Sequence, residues 1–499
     1  MPENVILAID QGTTGTTALI VDRAGAILGR GYAPVTQHYP QPGWVEHDAR
    51  QIWQTVLDAV GQAVSDAGSP NIVGIGITNQ RETTVLWNRA TGEPVGPAIV
   101  WQCRRTASRC NALTAAGRDT LIQERSGLVL DAYFSGTKVE WLLDHVPDLR
   151  SRAADGQILF GTVDSWLLWN LTGGTVHATD VSNASRTMLL DVDTGNWSPD
   201  LLGTLNVPAE VLPEVVPSSG VIGHSTAQLG VIPEATPIAG MAGDQQAALF
   251  GQACYTPGSA KTTYGTGCFL LLNTGTERAH SRNRLLSTVA WRLGADAPLV
   301  YALEGSVFAG GSVVQWLRDE LGLISTAAET ASIAESVAGT QGVYLVPAFT
   351  GLGAPYWDQD ARGTIVGLTR GTNRAHLVRA ALESIAHQVT DVVEAMTADS
   401  GASLVTMRVD GGAAANNFLM QFQADLLGIP VLRPANLETT AFGAAALAGL
   451  ATGVWSSQEE IGNTLRAERR FEPQMTSTKR ADLRAGWRDA VARSRSTLR

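Results

Sequence analysis

The stretch ILAIDQGTTGTTALIVD, residues 6–22, decides the fold, because an apolar strand runs into a Gly/Thr-rich hairpin and a second strand. The stretch AKTTYGTGCFLLLN, residues 260–273, repeats this pattern in the second half of the chain. Glycines in such turns adopt positive φ and bring backbone N–H groups close to a ligand, with threonine hydroxyls alongside. Two hairpins of this kind suit the phosphates of one nucleotide held between two lobes. The pair therefore predicts an ATP-using enzyme that opens and closes.

The composition fits a globular α/β enzyme with more than one domain. The chain has 499 residues, of which 44% are hydrophobic and 17% charged. Length alone favours about three domains, and two large lobes are equally permissible. The formal net charge of −11 argues against broad nucleic-acid binding.

The N-terminal sequence predicts a cytoplasmic protein without membrane insertion. It has no basic region before its first apolar strand, and no run of about 18 apolar residues occurs in the chain. Four cysteines at no zinc spacing indicate reduced thiols. The absence of His-Glu-x-x-His and Gly-x-Ser-x-Gly motifs disfavours zinc hydrolysis and serine acyl transfer.

The first half alternates helix and strand patterns. Apolar residues recur every four positions after Asp48, a candidate N-cap, and the pattern stops at residues 68–70. Residues 71–78 read as a buried strand, and the polar residues 79–82 follow at its carboxyl end. In α/β sheets that end usually carries ligand groups, so residues 79–82 are candidates for a site.

The second half begins after a turn. Tyr255-Thr256-Pro257-Gly258 precedes the second hairpin and predicts a boundary between an N-terminal lobe, 1–254, and a C-terminal lobe, 255–499. Other patterns predict a helix over 160–171, a helix opened or interrupted at 310–312, a strand and glycine turn at 406–412, a helix from about 413 to 427, and a solvated terminal helix from 479.

Asp10 ends the first strand just before the glycine turn, where phosphates would lie. Direct contact between the carboxylate and the phosphates would be repulsive, because both are negatively charged. A Mg²⁺ ion between them removes this repulsion, since hard cations prefer oxygen ligands. An aspartate that caps its own turn is the alternative for this segment. The sequence has no Gly-x-x-x-x-Gly-Lys-Ser/Thr motif and only three lysines, so hairpins and Mg²⁺ would have to hold ATP.

Asp244-Gln245 follows Gly240 and Gly243 at a predicted helix start. Asp244 is either an N-cap or a base or orienting acceptor for a hydroxyl nucleophile. Arg81-Glu82 offers donors beside an acceptor, which matches adjacent hydroxyls of a polyol, although a surface ion pair is the usual alternative. Trp101 and Phe269 are suited to cover the C–H side of a polyol, or they belong to the core.

Six blocks, taken together, resemble the FGGY family of carbohydrate kinases nearly from end to end. They are DQGTT at 10–14, GITNQRETT at 76–84, IVWQCRRT at 99–106, AGDQQAALFGQ at 242–252, YGTGCF at 264–269 and RVDGGAAANNFLMQFQ at 408–423. The two family signatures are similar to YFSGTKVEWLLDH at 133–145 and GTIVGLTRGTNRAHLVRAALE at 363–383.

The resemblance implies two lobes of the actin, hexokinase and ribonuclease H type, each a mixed sheet flanked by helices. It implies that Mg²⁺-ATP phosphorylates glycerol to sn-glycerol 3-phosphate in glycerol catabolism, with Asp244 as the base, in a homodimer or homotetramer. The implied glycerol residues are Arg81, Glu82, Trp101, Tyr133, Asp244, Gln245 and Phe269. The implied ATP residues are Thr13, Thr14, Gly15, Thr17, Thr266, Gly311, Gln315, Gly412 and Asn416, and Asp10 and Asp244 would organise Mg²⁺.

The sequence departs from the family pattern at two places. Thr17 stands where members that act on glycerol often have an arginine. Residues 226–230 lack the Gly-rich loop with arginine that binds fructose 1,6-bisphosphate in enteric relatives, so that regulation is not implied.

Two other functions remain open. Another FGGY kinase, acting on a pentulose or a tetritol, would have the same hairpins and adenosine residues. An actin-like ATPase would hydrolyse ATP without a small acceptor.

Overall fold

The computed structural model describes residues 4–358, 360–436 and 438–496. Two mixed β-sheets, each flanked by helices, form the centre of the molecule. The six-stranded sheet has the order β13-β14-β5-β1-β2-β3, and the seven-stranded sheet has the order β17-β18-β16-β15-β21-β22-β23. This arrangement confirms the predicted α/β fold with one mixed sheet in each half.

The strands fall into the two sheets and five short pairs. The six-stranded sheet contains β1 (Asn4–Gln11), β2 (Gly15–Val21), β3 (Ile27–Pro34), β5 (Asn71–Asn79), β13 (Ser219–His224) and β14 (Pro237–Gly243). The seven-stranded sheet contains β15 (Ala260–Tyr264), β16 (Cys268–Gly275), β17 (Leu286–Trp291), β18 (Val300–Val307), β21 (Met407–Asp410), β22 (Val431–Pro434) and β23 (Ala467–Phe471). The pairs are β4 (Glu46–His47) with β7 (Ala98–Ile99), β6 (Val85–Asn88) with β8 (Ile158–Gly161), β9 (Ala178–Asp180) with β12 (Glu214–Val216), β10 (Leu190–Asp191) with β11 (Asn196–Trp197), and β19 (Tyr344–Val346) with β20 (Thr364–Val366).

Sixteen α-helices accompany these strands within the described ranges. They are α1 (Ala49–Asp66), α2 (Ala107–Ala115), α3 (Asp119–Ser126), α4 (Ser135–His145), α5 (Leu149–Ala154), α6 (Val163–Leu171), α7 (Val181–Ala184), α8 (Pro199–Thr204), α9 (Asp244–Gly251), α10 (Gly311–Asp319), α11 (Glu329–Glu335), α12 (Arg374–Ser400), α13 (Asn417–Leu427), α14 (Thr439–Thr452), α15 (Gln458–Thr464) and α16 (Ser477–Ser494). Short 3₁₀ turns occupy Ala209–Val211, Ala227–Leu229 and Gly412–Ala415. Within the described ranges, no helix has both the length and the apolar character that crossing a membrane requires.

Both predicted hairpins are present. Strands β1 and β2 pair antiparallel around the turn at residues 12–14, and β15 and β16 pair antiparallel around residues 265–267. Each first strand also pairs in parallel with a strand much later in the sequence, β1 with β5 and β15 with β21. The hairpins therefore lie inside their sheets, where strand pairing on both sides fixes their positions.

Helix α1 shows how the local pattern becomes structure. The Asp48 side chain accepts from the backbone N–H of Arg50, which confirms the predicted N-cap. The face that carries Ile52, Val56 and Val60 is buried against the six-stranded sheet. The prediction from a four-residue apolar repeat is therefore correct for this helix.

Helices α9 and α14 pack closely against each other next to the six-stranded sheet. A Cβ at Gly443 would lie 1.9 Å from the carbonyl oxygen of Ala247, and one at Gly251 would lie 2.1 Å from that of Thr439. In the sheet itself, a Cβ at Gly76 would lie 2.1 Å from the carbonyl oxygen of Ala444. Glycines permit these close approaches. A helix from the second half of the sequence thus packs against the sheet of the first half.

Three predicted elements differ from the structure. Residues 160 and 161 belong to strand β8, and helix α6 begins only at Val163. The helix predicted from about residue 413 is a 3₁₀ turn followed by α13, which Asn416 caps.

The terminal helix α16 is not solvated all round. The guanidinium of Arg484 and the indole N–H of Trp487 donate to Asp391 at 2.5 and 2.8 Å, and both side chains are buried. The arginines of this segment predict a polar helix, but Arg484, Trp487, Ala490 and Val491 form a buried face.

We expect Gly443→Ala to destabilise the protein by roughly 1–3 kcal/mol, because the added methyl group overlaps backbone atoms of α9. Gly203→Ala is the matched control: Gly203 is exposed in α8, and an added Cβ meets no atom within 4 Å. The control should be neutral or stabilising, since alanine favours helix. Urea unfolding measures both, and equal stability of the two variants would contradict the packing assigned to α9 and α14.

Candidate functional site

Three neighbouring strands of the six-stranded sheet end at one edge, and each delivers predicted site residues there. Strands β14, β5 and β1 are adjacent and parallel, and their pairing brings their carboxyl ends side by side. Asp10 lies near the end of β1, Arg81 and Glu82 follow β5, and Asp244 follows β14. Ligands of α/β sheets bind at such edges. The structure therefore brings these four residues together.

Glu304, on β18 of the other sheet, is the centre of a buried four-charge cluster with Arg81, Arg186 and Glu82. Its carboxylate accepts from Arg81 Nη1 at 2.5 Å and Nη2 at 3.0 Å, and from Arg186 Nη2 at 3.0 Å. Arg186 Nε donates to Glu82 Oε1 at 2.7 Å. Burial acts to raise the pKa of Glu304, but Arg186 and Arg81 outweigh it and lower this pKa to about 2. Glu304 is therefore ionised at neutral pH, whereas burial raises the pKa of Glu82 against the opposing charges of Arg81 and Arg186.

Arg81 links this cluster to Asp244. Arg81 Nε lies 3.2 Å from Asp244 Oδ1, while the other two nitrogens of the guanidinium are bound to Glu304. A Cβ at Gly243 would lie 2.7 Å from the Arg81 side chain, so glycine leaves room for it. Glu304 thus fixes the guanidinium of Arg81. The guanidinium in turn orients the carboxylate of Asp244, whose side chain is 30% exposed.

The backbone at Glu82 is held in an unusual conformation. Its φ is +59°, in the left-handed region that glutamate rarely adopts. Ser135 Oγ and Lys138 Nζ donate to its carbonyl oxygen at 3.0 and 3.3 Å. Burial lowers the pKa of Lys138 to about 8. These bonds support the turn and direct the Glu82 side chain toward Arg186.

Three aromatic residues predicted for the polyol lie together. The Trp101 ring makes edge contacts with Tyr133 and Phe269, with centroids 5.5 and 6.5 Å apart. Trp101 Nε1 donates to Thr13 Oγ1 at 2.9 Å, and Arg81 Nη2 donates to the Tyr133 hydroxyl at 3.4 Å. These contacts connect the aromatic group to the first hairpin, to the charge cluster and, through Phe269, to strand β16.

Gln245 completes the predicted polyol set. Its backbone N–H donates to Asp244 Oδ1 at 2.7 Å, as expected for the first turn of a helix, and its side-chain oxygen accepts from Lys261. Asp244 is the first residue of α9, and its N-cap is Gly243, so Asp244 itself is not the N-cap.

Asp10 is half-buried and faces other carboxylates. Burial, together with the charges of Asp244 and Glu438, raises its pKa to about 8. Carboxylates that face each other without a counter-cation are the oxygen donors that Mg²⁺ uses, so the donor set fits this ion. Over the described residues, no group of three or more His, Cys, Asp and Glu side chains has a metal-site arrangement. A cation at Asp10 would therefore also need oxygens from phosphate and water.

The first hairpin holds Thr13, Thr14, Gly15 and Thr17 beside Asp10. Thr17 is the cross-strand partner of Asp10 in the pairing of β1 with β2. A Cβ at Gly15 would lie 2.6 Å from the hydroxyl oxygen of Tyr32, so this glycine also has a packing role.

A cavity of about 790 Å³ lies beside the second hairpin. Five predicted nucleotide residues line it, Thr266, Gly311, Gln315, Gly412 and Asn416. The four residues of the first hairpin are not part of its lining. The backbone N–H of Gly311 donates to the Gly265 carbonyl at 2.8 Å, which attaches α10 to the hairpin. The cavity has the size of a small-ligand pocket and mostly apolar walls.

Three residues of the site were not predicted from the sequence, namely Glu304, Arg186 and Lys261. Glu304 interrupts the apolar strand VYALEGSV, and a carboxylate within a buried strand is the signal that could have found it. Lys261 is one of only three lysines, and it lies in a strand rather than on a polar helix. For Arg186, between short elements, the sequence offers no comparable signal.

Known proteins resemble this chain over nearly its full length. The profile of the FGGY family of carbohydrate kinases, N-terminal domain, matches residues 5–251, and that of its C-terminal domain matches residues 260–452. A glycerol kinase of Desulfitobacterium hafniense is 57% identical over 97% of this chain and 98% of its own length. One of Carboxydothermus hydrogenoformans is 56% identical over 99% of each chain.

A solved structure supports the same relationship. The crystal structure of Plasmodium falciparum glycerol kinase with ADP superposes with a TM-score of 0.95, at 37% identity, and the match covers 99% of this chain and 98% of that one. A xylulose kinase from Lactobacillus acidophilus, at 22% identity and a TM-score of 0.88, shares the fold. The chain belongs to the FGGY family of carbohydrate kinases.

Proposed function

We propose that this chain transfers the γ-phosphoryl group of ATP to a terminal hydroxyl of glycerol, giving sn-glycerol 3-phosphate and ADP. The observation that carries the proposal is the Asp244 carboxylate, held 3.2 Å from Arg81 beside Glu82 and the aromatic residues. The glycerol kinase names of relatives that match nearly the full length support the choice of acceptor.

Asp244 acts as the base. It accepts the proton of the glycerol hydroxyl while that oxygen forms a bond to the γ-phosphorus, and the bond from phosphorus to the β–γ bridging oxygen breaks, with its electron pair leaving on ADP. Phosphoryl transfer has a loose transition state, so proton removal comes late and an ordinary carboxylate suffices. The main task of Arg81 is to keep Asp244 in place.

The polyol is bound by polar groups on one side and rings on the other. Glu82 accepts from hydroxyls, Arg81 and Gln245 donate to them, and the Tyr133 hydroxyl does either. Trp101 and Phe269 cover the C–H side. This pairing of donors with acceptors matches adjacent hydroxyls better than a purely anionic substrate.

ATP lies between the hairpins. Thr13, Thr14, Gly15 and Thr17 hold phosphates from one side and Thr266 from the other, with the nucleoside in the cavity bordered by Gly311, Gln315, Gly412 and Asn416. Asp10 and Asp244 would hold Mg²⁺ through water, and the ion would neutralise phosphate charge. The lobe boundary at residues 254–255, the homodimeric or homotetrameric state and the cytoplasmic location stay predictions.

The first test is acceptor specificity. We expect the purified protein to release ADP from Mg²⁺-ATP only when glycerol is added, with a higher kcat/KM for glycerol than for erythritol, ribulose or xylulose. A preference for one of these other acceptors would identify a different kinase of the family. ADP release that needs no acceptor would identify an ATPase.

The second test removes the base. We expect Asp244→Ala to lower kcat by about 10³-fold or more, because general-base and positioning contributions are lost together. The fold should persist, since Arg81 keeps its bonds to Glu304. Calorimetry should find ADP affinity nearly unchanged. The control is Asp58→Ala on the exposed face of α1, and near-normal turnover by Asp244→Ala would refute the assignment.

The third test concerns Asp10. Without a cation, the folded state retains a proton on Asp10 that the unfolded chain releases, so this group's contribution to stability declines as pH rises from about 4 to about 8. In EDTA, the free energy of unfolding of Asp10→Asn should therefore fall less than that of the wild type as pH rises from about 4 to about 8. When Mg²⁺-ADP is added, the variant should show the smaller increase in Tm, because it lacks the carboxylate that is proposed to hold the ion. Identical pH profiles and identical Tm gains would contradict both roles.

A further inference from the structure

Lys261 is a buried lysine that reaches the polyol residues from the other sheet. It lies in β15, the strand that leads into the second hairpin, and its side chain is fully buried. Its ammonium group donates to Gln245 Oε1 and, at 2.9 Å, to Thr263 Oγ1. The contact therefore runs from a strand of the seven-stranded sheet to the first turn of α9.

This contact determines what Gln245 offers to a ligand. A glutamine amide has an oxygen that accepts and an NH₂ group that donates, and the two ends are interchangeable by rotation. An ammonium group only donates, so the end next to Lys261 must be the oxygen. The NH₂ group then points away from Lys261, and Gln245 presents donors.

Burial of Lys261 costs free energy, so a role in packing alone does not account for it. Burial of an ammonium group without full compensation is unfavourable, and a methionine fills a similar volume. Burial lowers the pKa of Lys261, while Asp410, Asp244 and Glu304 raise it, so nearby carboxylates oppose the cost. One of these, Asp410, has a buried Oδ1 to which none of the described residues donates a hydrogen bond.

The other buried lysine has a different environment. Lys138 donates to the backbone carbonyls of Glu82 and Tyr133, which supports a turn of the main chain. Lys261 instead binds two side chains, and one of them belongs to the polyol set. The hydrogen bonds of Lys261 are therefore those of a residue that orients another side chain.

We propose that Lys261 is a positioning residue that fixes the amide of Gln245 with its NH₂ group toward the polyol. This inference rests on the proposed function, in which Gln245 contacts glycerol. Lys261 lies in the strand that leads into the second hairpin, which contains Thr266. The orientation of Gln245 therefore depends on the position of this hairpin relative to α9. The same strand and hairpin therefore contribute both to selecting the polyol and to placing the phosphates.

The test is a double-mutant cycle of Lys261→Met and Gln245→Ala. We expect Lys261→Met to raise KM for the polyol roughly tenfold or more with little change in KM for ATP, since one oriented donor is lost. In the Gln245→Ala background the same substitution should change KM less than about twofold, because Lys261 acts through Gln245. Equal effects in both backgrounds would overturn the proposal.

A second variant covers the case in which Lys261→Met does not fold. Gln245→Glu keeps an acceptor for the ammonium group and has no NH₂ group, so it should fold and still raise KM for the polyol about tenfold. Wild-type KM in this variant would overturn the donor role. Lys479→Met, on the exposed side of α16, is the control and should leave both KM values unchanged.

The acceptor in these assays is whichever polyol the wild type phosphorylates best. If that acceptor is not glycerol, the proposed substrate is rejected, while the coupling between Lys261 and Gln245 is still measured. The two proposals therefore fail by different results.

Discussion

The rest of the site depends on one buried carboxylate, that of Glu304. It comes from the seven-stranded sheet, and both arginines that it binds come from the half that carries the six-stranded sheet. Loss of either partner would leave an uncompensated buried charge, which is far more costly than loss of an exposed pair. Arg81 can hold Asp244, and Arg186 can hold Glu82, only while Glu304 holds both guanidinium groups.

The two sheets are therefore joined by contacts of two kinds. Close packing of small residues at α9 and α14 joins them through apolar contacts and requires glycine at particular positions. The charge cluster joins them at the site and requires matched geometry. Together they define the positions of groups that belong to distant parts of the sequence.

The sequence predicted what is local. The two hairpins, helix α1 and the polar residues after β5 followed from patterns of a few residues, and the structure has all of them. The sequence predicts a helix over 160–171, but pairing with β6 places Phe160 in a strand. Glu304 and Arg81 are 223 residues apart in the sequence. A local pattern can mark Glu304 as a carboxylate in a buried strand, but it does not encode the partners of that carboxylate. The cluster could therefore not be predicted, although Arg81 and Glu82 were expected in the site.

The distribution of charge also explains how a strongly acidic site can accept a triphosphate. Two of the three lysines, Lys138 and Lys261, are buried and hydrogen-bonded to protein groups. The guanidinium groups of Arg81 and Arg186 are likewise engaged by carboxylates. The hairpins thus contribute backbone N–H groups and hydroxyls, which are neutral donors. Arg318 lines the proposed nucleoside cavity, but it is paired with Asp319. We therefore expect a cation to arrive with the nucleotide, and the carboxylate of Asp10 is placed to receive it.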